Sequence, residues 1–270
     1  IGFTDRTKTI SKQVHSEFNN AAFALGDGTI TYTSSHPEVA SVNQAGLVNI
    51  HLGGQTVITA NVARNDLYES ATTSYTLVSR LIPQALSFEN SGPYELTVGS
   101  TLLNPATGQG NGNIAYESSD ESIATVDNSG LVTILSAGQV TIRANINSDN
   151  IYKSAIASYS FNAGKGLQQV TFSRAGPLAV KAGEKFSNLA TAQGIGQITY
   201  ASSNEEIAIV DNHGEVNILT EGTAVITATV SYDHNYEAAS NSYEVNASLK
   251  TQDIFVLWPG ANQGLVGYPL

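Results

Sequence analysis

The stretch Ile114–Ile146, IAYESSDESIATVDNSGLVTILSAGQVTIRANI, decides the fold. Apolar and polar residues alternate over Ile114–Ser118, Ile123–Asp127, Leu131–Leu135 and Val140–Ile146, and the breaks between them carry Gly, Asn, Asp and Ser. A period of two places successive side chains on opposite faces of a strand. The intervening residues are those that tolerate or promote reversal of the chain.

The same stretch occurs twice more. Ile30–Val62 reads ITYTSSHPEVASVNQAGLVNIHLGGQTVITANV and Ile198–Val230 reads ITYASSNEEIAIVDNHGEVNILTEGTAVITATV, aligned without insertion or deletion, so that Tyr32, Tyr116 and Tyr200 stand 84 residues apart. A fixed period of this size marks a tandem array of supersecondary units. It divides the 270 residues into modules at 1–79, 80–163 and 164–247 and a remainder, 248–270. Gly99 and Gly183 step by one period to Gly267, and Leu102 and Phe186 to Leu270, so the remainder reads as the start of a truncated fourth module. The absence of Met agrees with a segment cut from a longer protein.

Gln84–Asn90, Tyr94–Val98 and Ala157–Phe161 complete seven short strands in the second module. Seven strands with turns about every 8–12 residues describe a β-sandwich of immunoglobulin type. The expected class is all-β, three tandem immunoglobulin-like β-sandwich domains. Without a Cys–Trp–Cys core, the interior falls to Ile123, Val126, Val132, Ile134, Val140 and Ile142, with Phe88, Leu102 and Tyr116. Phe172 is the equivalent of Phe88, and Phe3 lies one residue out of register. The linkers Ser79–Pro83 and Ala163–Leu167 are short and unlike Gly/Ser tethers, which predicts an extended rod of about 110–120 Å.

The pattern Tyr116-Glu117-Ser118-Ser119, then Ile123 to Thr133, then Ala137 to Ala144 resembles the bacterial immunoglobulin-like domain of group 2. The resemblance covers the middle of every module. It implies a piece of a bacterial surface protein of the intimin and invasin adhesin type, exposed at the outer membrane, where such arrays form stalks and contribute to virulence. The modules depart from the minimal form in a longer loop before the last strand, containing Tyr68, Tyr152 or Tyr236. A tyrosine recurring there is expected to be a packing plug with its hydroxyl on a backbone carbonyl.

Composition excludes several functions. Zero cysteines remove disulfides, thiolate zinc sites and a cysteine nucleophile. The net charge of −11 argues against nucleic acid, because phosphate binding requires a basic footprint. No apolar run is long enough for a membrane span, so no direct insertion of this segment is expected.

Nothing in the pattern proposes a catalytic site, a cofactor or a metal. The five histidines do not recur between copies. Asp127-Asn128 and Asp211-Asn212, which could offer oxygen ligands to calcium, precede Ser-Gly and His-Gly and suit β-turns. The repeated Gly-x-Gly at Gly26, Gly110 and Gly194 lacks the lysine and following helix of a phosphate loop and reads as a tight turn.

Specificity is sought where copies differ. Phe23 stands where the other copies have Thr107 and Thr191, and Tyr232 replaces Arg64 and Ser148 in the loop Tyr232-Asp233-His234-Asn235-Tyr236. Phe23, Tyr232 and His234 are the candidate surface contacts. The apolar tail Asp253–Gly260, with the one Trp, is expected to pack on the third module or to pair with a neighbouring molecule.

The leading reading is a non-catalytic stalk or spacer of a cell-surface adhesin, a monomeric rod supporting contact with a host-cell or matrix protein or glycan. The alternatives are an accessory or carbohydrate-binding array of a secreted polysaccharide-degrading enzyme and an interaction module of a surface-layer or phage protein.

Overall fold

The computed structural model describes residues 1–252, 254–255 and 267–268. They form strands and turns with no helix. Internal contacts divide the chain into two units, one of Ile1–Tyr94, Thr101–Thr133 and Gln139–Phe161, the other of Glu95–Ser100, Ile134–Gly138 and the residues from Asn162 on.

The first copy contains β1 (Gly2–Phe3), β2 (Thr9–Gln13), β3 (Glu17–Asn19), β4 (Ala22–Phe23), β5 (Ile30–Ser34), β6 (Ala40–Val42), β7 (Leu47–Ile50), β8 (Gly54–Val62) and β9 (Ala71–Arg80). One sheet runs in the order β2-β9-β8-β5 and a second β3-β7-β6. The alternation seen in the sequence becomes an alternation of burial: Ile58, Ala60, Tyr75 and Leu77 from one sheet meet Val48 and Ile50 from the other. Each buried Val, Ile or Leu among them contributes about 1.5–3 kcal/mol by leaving water. β1 pairs antiparallel with β4, whereas β2 lies parallel to β9. The chain therefore leaves β4 for the edge of the β9 sheet over residues 4–8.

The second copy contains β10 (Leu86–Phe88), β11 (Thr101–Leu103), β12 (Ala106–Gly108), β13 (Ile114–Ser118), β14 (Ala124–Val126), β15 (Leu131–Ile134), β16 (Gly138–Ile146) and β17 (Ala155–Ala163). The third has β18 (Thr171–Phe172), β19 (Leu178–Lys181), β20 (Lys185–Ser187), β21 (Ala190–Thr191), β22 (Ile198–Ser202), β23 (Ala208–Val210), β24 (Glu215–Ile218), β25 (Gly222–Val230) and β26 (Ala239–Ser248). Its sheets, β19-β26-β25-β22 and β20-β24-β23, repeat those of the first copy.

Val132, Ile134, Val140 and Ile142 are buried as expected, whereas Phe88, Leu102, Tyr116, Ile123 and Val126 are half-buried. Two short strands, β11 and β12, separated only by Asn104-Pro105, escape the sequence reading. Tyr94–Val98 is not a strand: it makes an isolated parallel bridge, Thr97 to Gly164. Tyr94 instead turns its hydroxyl onto the Asn90 carbonyl, accepts from Asn104 Nδ2 at 3.0 Å and packs its ring 4.9 Å from that of Tyr159. The tail expectation falls largely outside the described residues, which include β27 (Ile254–Phe255) and β28 (Gly267–Tyr268), an antiparallel pair.

Three side-chain devices repeat with the period. The hydroxyls of Tyr32, Tyr116 and Tyr200 accept the backbone N–H groups of Ala22, Ala106 and Ala190 at 2.7, 2.8 and 2.9 Å. Asn20, Asn104 and Asn188 are buried. Their Oδ1 atoms accept the N–H groups of Asp5, Asn90 and Arg174 at 2.8, 2.8 and 2.7 Å, in place of a neighbouring strand. Phe3, Phe88 and Phe172 meet Tyr75, Tyr159 and Tyr243 edge to face at 4.7, 4.6 and 4.7 Å.

That last contact settles the register of Phe3. The separation from phenylalanine to tyrosine is 75 − 3 = 72 residues in the first copy but 159 − 88 = 71 and 243 − 172 = 71 in the others. The first copy thus carries one extra residue between β1 and β2.

Candidate functional site

The extra residue falls where the chain crosses from β4 to β9, and a groove of about 540 Å³ opens there. One wall is β1 with Phe23, the other is the start of β9 at Thr73, Ser74 and Tyr75, and Arg6 and Lys8 lie on the crossover. Phe23 is 50% exposed because its partner in β1 is Gly2, which offers no side chain to cover the ring. The Arg6 guanidinium stands 5.8 Å from that ring. Leu25 adds a second apolar side chain at 83% exposure. The equivalent groove of the third copy, bounded by Phe172, Arg174, Gly176 and Asn241–Tyr243, is about 280 Å³.

Tyr232 lies in the second unit and is 67% exposed. Lys165 Nζ sits 4.1 Å from its ring centroid, a cation–π contact that covers one face. His234 is exposed in the same loop. The loop is shaped by Asp233, whose Oδ1 accepts the N–H groups of Asn235 and Tyr236, both at 2.8 Å, while Oδ2 accepts that of Ile195 at 2.6 Å. Asn235 Oδ1 in turn accepts from Ser136 Oγ at 2.7 Å and Ala137 N–H at 3.1 Å. Phe23 belongs to the groove in the first unit, whereas Tyr232 and His234 share a loop of the second.

Asp233 is one of a set. In the second copy Asp149 Oδ1 accepts from Ile151 and Tyr152 at 2.7 and 2.6 Å, and Oδ2 accepts the Asn111 N–H at 2.9 Å. The Tyr152 N–H, followed by those of Ile151 and Asn111, holds the carboxyl below its usual range. In the first copy the position is Asn65, which accepts from Leu67 and Tyr68 and donates Nδ2 to Asp27 Oδ1 at 2.6 Å. Acid and amide have exchanged sides.

These loops explain the Gly-x-Gly repeat. A Cβ on Gly28 or Gly112 would stand 2.6 or 2.5 Å from the carbonyl oxygen of Ala63 or Asn147, so the position admits only glycine without moving the adjacent strand. The expected hydroxyl-to-carbonyl bond of Tyr68, Tyr152 and Tyr236 does not form among the described residues; the ring of Tyr68 lies over Gly26 and that of Tyr236 by Gly194. The hydroxyls that engage backbone in every copy belong to Tyr116 and its equivalents, and in the second copy also to Tyr94.

Asp127 Oδ1 accepts from Ser129 N–H, Ser129 Oγ and Leu131 N–H, and Asn43 in the first copy makes the corresponding backbone bonds to Ala45 and Leu47. Turn formation accounts for these residues, with amide and carboxylate interchangeable. Groups of acidic and histidine side chains suited to a metal are absent among the described residues.

The strand order and repeated packing define a tandem array of immunoglobulin-like sandwiches. The model for the bacterial immunoglobulin-like domain (group 2) matches residues 80–153, and that for the intimin immunoglobulin-like domain matches residues 14–64 and 181–231. The chain carries tandem bacterial immunoglobulin-like domains. An uncharacterized protein of Clostridium acetobutylicum is 29% identical over 143 residues, 52% of this chain and 14% of that protein, so the chain corresponds to a small part of its relative. Among solved structures, an intimin mutant of EHEC O157:H7 is 25% identical over 33% of this chain and 51% of its own, with a TM-score of 0.25. Drosophila N-cadherin EC1-3 is 13% identical over 90% of this chain and 98% of its own, with a TM-score of 0.36.

Proposed function

We propose that this chain is a non-catalytic spacer of a bacterial surface adhesin, displayed outside the cell, which holds a binding region away from the envelope. The observation that carries the reading is the threefold repetition of interior devices together with divergence of exposed side chains: Tyr116–Ala106 and Asn104–Asn90 recur in every copy, whereas Phe23 and Tyr232 occur once each. An array that conserves its packing and varies its surface suits length and spacing. The match to the intimin immunoglobulin-like domain supports the surface setting.

The partner class is a host-cell or matrix protein or a glycan, met weakly through Phe23, Tyr232 and His234 or only by the region that the spacer presents. Binding of the purified chain to host cells, matrix proteins and glycans, beside a Phe23→Ala/Tyr232→Ala variant, separates these two cases. Saturable binding lost in the variant makes the modules adhesive. Absence of binding leaves their length as the function, and a spacer must then show a maximum dimension of about 110–120 Å in solution scattering; a value below roughly 80 Å contradicts it.

A further inference from the structure

We propose that the groove of the first copy takes an extended acidic polypeptide segment as an added strand along β9. β9 is paired with β8 from Ala71 to Ser79 but with β2 only from Thr76 onward. Ala71–Tyr75 therefore present an open edge on the side where β2 is missing, and Thr73, Ser74 and Tyr75 line the groove. A bare row of N–H and C=O groups is a template for another extended chain, and five residues offer about 17 Å of it.

Two further observations fix the site and its occupant. In the third copy the crossover is one residue shorter, and Gly176 lies so close to the β26 edge that a Cβ there would stand 2.9 Å from Tyr243 Cβ and 3.2 Å from the Glu244 backbone nitrogen. In the first copy the longer crossover meets this edge at Lys8, whose carbonyl accepts the Thr76 N–H at 2.9 Å, and Thr73, Ser74 and Tyr75 line the groove. The rim is basic in a chain of net charge −11. Arg6 and Lys8 are exposed and make no ion pair among the described residues, while the neighbouring Asp5 carboxylate is occupied by Thr7 N–H and Oγ1 at 2.9 and 2.5 Å.

Charge complementarity with Arg6 and Lys8 selects acidic side chains, and the exposed Phe23 and Leu25 select apolar ones beside them. A segment that interleaves acidic and apolar residues meets both demands. The inference does not rest on the spacer reading.

The test uses the whole 270-residue chain with a labelled peptide of alternating Val and Glu as the probe, beside the same peptide with Lys for Glu. Fluorescence anisotropy is expected to show saturable binding of the acidic peptide alone. Binding should weaken by about tenfold in an Arg6→Glu/Lys8→Glu variant and fall as salt is raised. Amide exchange should slow at Ala71–Tyr75 on binding. Both substituted side chains are exposed, so an unchanged melting temperature certifies the fold of the variant. No saturable binding of the acidic peptide, equal binding of the lysine peptide, full retention in the variant, or protection confined to other strands each overturns the proposal.

Discussion

The hydroxyl oxygen of Tyr116 accepts the backbone N–H of Ala106 at 2.8 Å, joining a residue on β13 to one on β12. The two strands lie in different sheets, so the phenol spans the sandwich and satisfies a donor that no strand reaches. The same bond recurs one period away on both sides.

Tyr116→Phe should therefore destabilise the second module by about 1–3 kcal/mol, the cost of leaving a buried donor unpaired. Tyr68→Phe, whose hydroxyl makes no bond among the described residues, should be silent. Calorimetric or denaturant unfolding of the two variants checks the contrast.

Asn104 is 1% exposed, accepts from Asn90 N–H and donates Nδ2 to the Asn90 carbonyl at 3.1 Å. Asn104→Leu should cost about 1–3 kcal/mol for each buried partner it orphans. Asn104→Asp should cost more at neutral pH, since a carboxylate cannot donate and its charge is buried. Denaturant midpoints measured at pH 7 and pH 4 test this, with the Asp variant regaining stability at the lower pH.

The exchanged acid and amide predict a rescue. Asp149→Asn places a donor against the Asn111 N–H, and Asn111→Asp places a second carboxylate beside Asp149, so each alone should lower the melting temperature. The double variant reproduces the Asp27–Asn65 arrangement, where Nδ2 donates to Oδ1, and should recover most of the loss. Because the carboxyl of Asp149 is held below its usual range, its contribution is present above the unfolded value near 3.8 and is lost as pH falls through the folded one. A melting series from pH 6 to pH 2 should show this loss in the natural chain and a weaker one in Asp149→Ala.

Burial pushes Tyr159 and Tyr75 up to about 12, as the pH at which each phenol ionises. The Asn104 amide near Tyr159 favours the phenolate slightly, but the hydroxyl has no partner in hydrogen-bonding geometry. A folded value above the unfolded value of 10 means that stability is complete below pH 10 and falls as pH rises toward 12. Tyr159→Phe should leave stability at pH 7 unchanged or slightly higher and should flatten the alkaline decline. Melting temperatures between pH 8 and pH 12 decide it.

By itself the sequence determined the all-β class, the 84-residue period and the interior positions Val132, Ile134, Val140 and Ile142. Alternation says which face of a strand a side chain takes, and repetition says that the rule holds in every copy. It also singled out Phe23, whose equivalents are threonines. The groove around Phe23 was not legible, because its walls at Arg6 and Ser74 are far apart in the chain and meet only when β1 and β9 are placed. The roles of the buried Asn20, Asn104 and Asn188 were not legible either, since polarity in a sequence does not reveal which backbone groups a fold leaves without partners. The extra residue of the first copy could be sensed as the shifted Phe3, but only the edge-to-face contact with Tyr75 shows where the chain absorbs it. Period and polarity are local properties of a strand, whereas a partner across two sheets exists only after the sheets have packed.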